Sequence, residues 1–119
     1  MARVMIADDS DEIRQLLSDA LELGNHELVA QARDGIETIE KFKTAKPDVL
    51  LLDIGMPKKD GMVVLEEIRS SNPDAKIIMI TAYEDQSTIN RSSSAGAQAY
   101  LIKPFDYKNV LKAIAMVMS

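Results

Sequence analysis

Cysteine is absent from these 119 residues, which excludes a disulfide framework, a thiolate metal site and a cysteine nucleophile. The absence fits a reducing compartment, and a cytoplasmic location is the expectation. No apolar run approaches the roughly 20 residues that a membrane-spanning helix needs, so no membrane partner is expected. The opening residues, Met1-Ala2-Arg3-Val4-Met5-Ile6, pass straight into a strand pattern without the apolar core and cleavage site of a signal peptide. Positive charge is in short supply: 14 Lys and Arg against 19 Asp and Glu leave a formal net charge of −5. That balance argues against a direct nucleic-acid or anionic-membrane binder. Internal repeats are missing, and low-complexity sequence is confined to Ser92-Ser93-Ser94. The sole histidine, His26, reads as a surface residue at a strand start.

What is present has the composition of a globular chain, 46% hydrophobic and 28% charged, and its length suits one domain over residues 1–119. The organising stretch is Val49-Leu50-Leu51-Leu52-Asp53, an apolar run that reads as a strand buried on both faces and ends in a carboxylate. A Gly/Pro-rich turn follows, closed by Asp60-Gly61, with Asp60 placed to cap the next helix. Four further strands are expected: Arg3 to Ala7, a shorter one centred on Leu28-Val29-Ala30, Lys76 to Ile80 ending at Thr81, and Ala99 to Ile102.

Helical spacing fills the intervals. Ser10 caps a helix carrying Ile13, Leu16, Leu17, Ala20 and Leu21 on one face. Asp34-Gly35-Ile36-Glu37 resembles a capping box that opens a helix with Ile36, Ile39 and Phe42 inward. Met62, Val64, Leu65 and Ile68 form the next apolar face; Val110, Leu111, Ile114 and Val117 form the last, capped by Asp106. The fourth helix, Glu84 to Ala95, offers little beyond Ile89 and Ala95 as anchors and reads as loosely held. The seven methionines read as core fillers. Strict alternation of strand and helix implies an α/β, flavodoxin-like (βα)5 fold with a doubly wound, five-stranded parallel sheet.

Parallel strands share one carboxyl edge, and polar residues gather on it: Asp8 and Asp9, Asp53, Thr81 and Lys103. Ligands of such sheets bind at that edge. Two unit charges about 4 Å apart repel by about 4 kcal/mol at an effective dielectric of 20. Three carboxylates therefore raise one another's pKa or recruit a cation, and Lys103 supplies only one positive charge. With oxygen ligands throughout, a hard divalent ion is indicated: Mg2+, with Mn2+ or Ca2+ as alternatives. An Asp carboxylate beside such an ion can act as a nucleophile toward phosphorus, with a Thr hydroxyl and a Lys ammonium neutralising phosphoryl oxygens.

Asp8-Asp9, Asp53 followed by Met56-Pro57 and Asp60-Gly61, Thr81-Ala82, and Lys103-Pro104-Phe105 together resemble the receiver domain of response regulators, in its single-domain, CheY-like form. The resemblance covers essentially the whole chain and implies the sheet order 2-1-3-4-5. It implies that Asp53 accepts a phosphoryl group from a phosphohistidine on a sensor histidine kinase or phosphotransfer protein. Asp9, Asp53 and the carbonyl of Gly55 are then the metal ligands, with Asp8 acting through a metal-bound water. Thr81 and Lys103 hold phosphoryl oxygens, Tyr100 is the aromatic switch, and the Lys103–Pro104 bond is cis. The face made by the fourth helix, fifth strand and fifth helix is the implied output surface toward a downstream effector, with Arg91, Tyr100, Lys108 and Lys112 as contacts. The chain is expected to be a monomer, or a weak dimer on phosphorylation, and a phosphoacceptor rather than a turnover enzyme. Tyr83 is expected to shield the acyl phosphate, and Gly55 to open the other side of the pocket.

Rival classes fit less well. A haloacid-dehalogenase-like phosphohydrolase wants Asp-x-Asp on one strand, whereas Asp8 and Asp9 are adjacent. A flavin or nucleotide carrier needs an anion cradle after the first strand, and Asp8-Asp9-Ser10-Asp11-Glu12 would repel a phosphate. A degenerate receiver serving only as a binding module would not need the complete acidic set. A receiver from a longer transcriptional regulator reads the same as a free-standing one, although Gln98 and Ala99 stand where DNA-binding regulators of this family carry acidic residues. Chemotaxis is the favoured pathway.

Overall fold

Strand and helix alternate without exception along the computed structural model, which describes residues 1–82 and 86–119. The elements are β1 (Arg3–Ala7), α1 (Asp11–Leu23), β2 (Glu27–Ala32), α2 (Gly35–Ala45), β3 (Val49–Asp53), α3 (Gly61–Ser71), β4 (Lys76–Thr81), α4 (Gln86–Ser94), β5 (Ala99–Ile102) and α5 (Tyr107–Met118). The strands pair in parallel in the order β2-β1-β3-β4-β5, so the chain winds one way from β1 to β2 and the other way from β1 to β3. None of the described helices is long and apolar enough to cross a membrane.

Alternation along the central strands sends their side chains to two cores. Val4, Ile6, Val49, Leu51, Ile78 and Ile80 meet Leu17, Leu21, Val110 and Ile114 from α1 and α5. Met5, Leu50, Leu52, Ile77 and Met79 face the other way and meet Phe42, Val64, Leu65 and Ile68 from α2 and α3. Each fully buried Leu or Ile contributes about 1.5–3 kcal/mol relative to exposure. All five residues of β3 are buried, which fixes Asp53 at the end of the most enclosed strand.

The helix starts follow the sequence closely. Ser10, Asp34, Asp60 and Asp106 each cap a helix by accepting a first-turn N–H. Five expectations need correction. Ile36 is largely exposed and Thr38 is the buried residue of that turn, its hydroxyl satisfied by Asp34 O at 2.7 Å. The box at α2 is also displaced by one residue, since Glu37 Oε1 accepts the Arg33 N–H rather than that of Asp34. β2 has six residues and is no shorter than β1. Met5, Met56, Met62 and Met79 fill the core, whereas Met1, Met116 and Met118 are exposed. His26 is half-buried rather than on the surface, with Nδ1 accepting the Ala2 N–H at 2.9 Å.

Candidate functional site

Register carries the polar residues to one level. Ala7 lies opposite Leu52, Asp53 opposite Ile80, and Thr81 opposite Ile102, so Asp8, Asp53, Thr81 and Lys103 crown four adjacent strands. The backbone continues the ladder just beyond: Ile54 N–H donates to Ile80 O at 3.0 Å and Lys103 N–H to Thr81 O at 2.8 Å. The crevice between β1 and β3 is where the winding reverses, the position at which open α/β sheets place their ligands.

Asp8 and Asp53 are buried there and Asp9 is exposed; one carboxylate oxygen from each lies within 4.8 Å of the others. Lys103 Nζ stands 3.4 Å from Asp8 Oδ2 and 3.6 Å from Asp53 Oδ1. Asp8 Oδ1 accepts the Ser10 N–H at 2.9 Å, and Arg14 donates to the Asp8 carbonyl at 2.8 Å. Asp53 Oδ1 also accepts the Gly55 N–H at 3.3 Å. Asp8 Oδ2 is fully buried and makes no hydrogen bond among the described residues, despite the nearby ammonium.

Burial is the main cause that pushes both carboxyls above the usual carboxylate range. For Asp8 the Ser10 N–H and the Lys103 charge oppose it, and for Asp53 the charge of Asp8 adds to it while Lys103 and the Gly55 N–H oppose. One ammonium thus serves two buried anions. The fit of a hard divalent ion rests on three features: all-oxygen donors, a buried oxygen without a hydrogen bond, and a spread of at most 4.8 Å. Asp8, Asp9 and Asp53 would hold it, with the exposed Gly55 supplying its carbonyl. When bound, such an ion neutralises phosphoryl charge.

Six of the seven residues singled out from sequence stand along this edge. Thr81 is buried at the end of β4. Tyr100 does not join them: it is 45% exposed on β5 and lines a cleft of about 610 Å³ with Ile89, Phe105, Lys112 and Met116. The Lys103–Pro104 bond is cis. Tyr83 lies outside the described residues, as does the expected start of the fourth helix at Glu84.

Sequence reasoning missed the glycines that shape the site. A Cβ on Gly61 would lie 2.3 Å from Asp53 O, so only glycine lets α3 begin against the backbone of Asp53. Gly35 is crowded in the same way by the loop after Asp53, its Cβ position 2.2 Å from Lys59 O. The signal available was the Asp-Gly pair repeated at 34–35 and 60–61, each read as a helix cap and the second also as part of the receiver resemblance, with no spatial demand placed on the glycine.

The family model for the response regulator receiver domain matches residues 4–115. Chemotaxis protein CheY of Bacillus subtilis is 38% identical over 94% of this chain and 93% of its own length. Transcriptional regulatory protein PdtaR of Mycobacterium tuberculosis is also 38% identical, over 98% of this chain, which spans only 57% of that protein. Among solved structures, the CheX–CheY–BeF3–Mg2+ complex from Borrelia burgdorferi contains a chain matching with a TM-score of 0.95 at 30% identity, covering 98% of this chain and 89% of that one. Chemotaxis response regulator CheY4 of Vibrio cholerae matches at 0.90 and 32% identity, over 98% of both chains.

Proposed function

Because this chain belongs to the response regulator receiver domain family, we propose that it is a phosphorylation-dependent switch whose phosphoacceptor is Asp53. The donor is a phosphohistidine on a sensor histidine kinase or phosphotransfer protein, and the receiver spans residues 1–119. The single observation that carries the reading is the cluster itself: Asp53 within 4.8 Å of the Asp8 and Asp9 oxygens and 3.6 Å from Lys103.

Each residue has a role in that reaction. Lys103 and the Gly55 N–H both address Asp53 Oδ1, which leaves Oδ2 to attack phosphorus. A bond forms from Oδ2 to phosphorus while the phosphorus–nitrogen bond to the imidazole breaks, and the imidazole leaves with the electron pair. Burial and the neighbouring Asp8 make the Asp53 carboxylate more basic than usual, and so a better nucleophile. Lys103 then pairs with a phosphoryl oxygen and the Thr81 hydroxyl donates to another. Asp8, Asp9, Asp53 and the Gly55 carbonyl would hold Mg2+, or Mn2+ in its place, which would neutralise phosphoryl charge.

Phosphorylation is read out on the α4–β5–α5 face by a downstream effector protein, with Tyr100 turning inward as Thr81 engages the phosphoryl group. The chain acts in the cytoplasm as a stoichiometric acceptor rather than a turnover enzyme, a monomer or weak dimer when phosphorylated, without binding nucleic acid directly. Chemotaxis or motility is the pathway supported by the relatives matched over nearly their full length. A receiver within a longer transcriptional regulator is the second reading, favoured by the regulators of which this chain spans about half.

Intact mass after incubation with acetyl phosphate tests the assignment. A Mg2+-dependent gain of one phosphoryl group in the native chain, absent from Asp53→Asn, is the expected result. No gain with any divalent ion would reduce the chain to a binding module.

A further inference from the structure

The loop that carries Gly55 from Asp53 to α3 is itself open at its functional point: a Cβ on Gly55 would meet nothing within 4 Å. What holds it lies on the other side, in the first turn of α2. Gly35 N–H donates to Pro57 O at 3.3 Å. Asp34 Oδ2 pairs with Lys58 Nζ at 3.4 Å, and Lys58 itself sits at a φ of 70°. The buried Met56 places its sulfur 4.0 Å from Thr38 Oγ1. Three consecutive loop residues, 56 to 58, are thus gripped by one turn of helix.

Gly35 is the point of closest approach. Its φ is not left-handed, so the backbone conformation does not demand glycine; the space does. An added Cβ would stand 2.2 Å from Lys59 O and 2.8 Å from Lys59 C, backbone atoms that cannot swing aside as a side-chain tip can. We infer that the first turn of α2 is the platform that sets the Gly55 carbonyl against Asp9 and Asp53, and that Gly35 is a positioning residue for divalent-metal binding. The inference rests on the phosphoacceptor reading above and adds to it an element, α2, that contributes no ligand of its own.

The physical consequence is specific. In Gly35→Ala the helix gains a better helix former at its first position, while the loop must move by roughly an ångström to relieve the clash. Displacement of that size can cost up to about a hundredfold where geometry is decisive. The ligand set should therefore weaken while the fold survives.

The test is Mg2+ titration followed by NMR of the backbone amides of the intact chain, with thermal unfolding measured in EDTA alongside. Gly24→Ala is the control for replacing a crowded glycine: its Cβ would meet the side-chain tip of Leu111 at 2.4 Å, a more easily relieved clash far from the carboxyl edge. Expected is a Mg2+ midpoint at least about tenfold higher in Gly35→Ala, with Gly24→Ala at the native midpoint whatever its melting temperature. Equal midpoints in all three proteins would overturn the inference and leave Asp53 as phosphoacceptor intact. Absence of Mg2+ binding by the native chain, together with no phosphoryl gain, would remove the underlying reading and the inference with it. Should Gly35→Ala fail to fold, the double variant Thr38→Val/Lys58→Ala releases the same loop from its other two contacts. It is expected to raise the midpoint severalfold, and an unchanged value overturns the inference.

Discussion

At the amino edge of the sheet, Asp48 Oδ2 accepts the Arg3 N–H at 2.9 Å, and the Arg3 guanidinium donates to the last carbonyl of α2, Ala45 at 2.9 Å, and to that of its C-cap Lys46 at 2.7 Å. His26 Nδ1 accepts the Ala2 N–H beside them. At the carboxyl edge, reached along the same strands, two buried carboxylates share the Lys103 ammonium and, among the described residues, Asp8 Oδ2 has no hydrogen bond. Native proteins leave few buried polar groups unsatisfied, and those few concentrate where something must bind. The amino edge is built to hold the strands together. The carboxyl edge gives up part of that stability to keep anionic oxygens available, the usual trade between a stable fold and a working site.

The contrast is broken most severely by removing the Lys103 ammonium. Lys103→Met would leave Asp8 and Asp53 facing each other without a counter-charge, and a loss of about 3 kcal/mol is expected in EDTA at pH 8. Urea unfolding measures it directly. Burial raises both carboxyl pKa values in the folded chain, so between the usual carboxylate range and the raised values the folded state binds more protons than the unfolded one. Their contribution therefore becomes less favourable as pH rises through that window. The deficit of Lys103→Met should shrink on acidification and also on adding Mg2+, which stabilises by binding only the folded state. A deficit independent of both pH and Mg2+ would mean that Lys103 matters for packing and not for charge.

A smaller effect is expected at the amino edge, where the groups are half-exposed and water can replace what is lost. Arg3→Ala removes two hydrogen bonds to the end of α2, for a loss of about 1 kcal/mol at any pH between 5 and 8. Mg2+ should give this variant the same increment of stability as it gives the native chain. A different increment would show that the two edges are coupled, and the contrast between them would lose its meaning.

The carboxyl edge was legible in the sequence because parallel strands end together: once the apolar runs are recognised, whatever follows each one is brought to the same level. Asp8, Asp9, Asp53, Thr81 and Lys103 needed no tertiary information beyond that rule. The amino edge obeys no comparable rule. His26 sits in a loop between α1 and β2, and only the folded chain brings Ala2 to it, so its half-buried state had no local signature. Gly35 and Gly61 were visible as turn residues, but the demand on each comes from a distant or preceding backbone whose approach depends on packing. Ile36 and Thr38 failed for a related reason. Hydropathy ranks isoleucine as the inward residue, whereas a threonine whose hydroxyl bonds back to Asp34 O is buried at little cost, and the turn rotates accordingly.

The finest test of the contrast concerns protons at the two edges, because they act with opposite sign. His26 is held below its usual pKa, chiefly by burial and then by the charge of the chain's amino terminus. Its Nδ1 must stay unprotonated to accept the Ala2 N–H. As pH falls through about 6.5, the unfolded chain takes up a proton that the folded chain refuses. Stability contributed by neutral His26 is therefore complete above that pH and declines below it, until the folded imidazole titrates in turn. The carboxyl edge responds the other way, growing less unfavourable as acid is added. His26→Asn separates the two trends, since an amide oxygen can take the place of Nδ1 as acceptor and does not titrate. Urea midpoints at pH 7.5 and 5.5 should differ less, or with reversed sign, in the variant than in the native chain, by a few tenths of a kcal/mol, the scale on which half-exposed surface groups act. Identical pH slopes in the two proteins would show that the amino edge tolerates a charged imidazole, and that its satisfied hydrogen bonds are not what sets it apart.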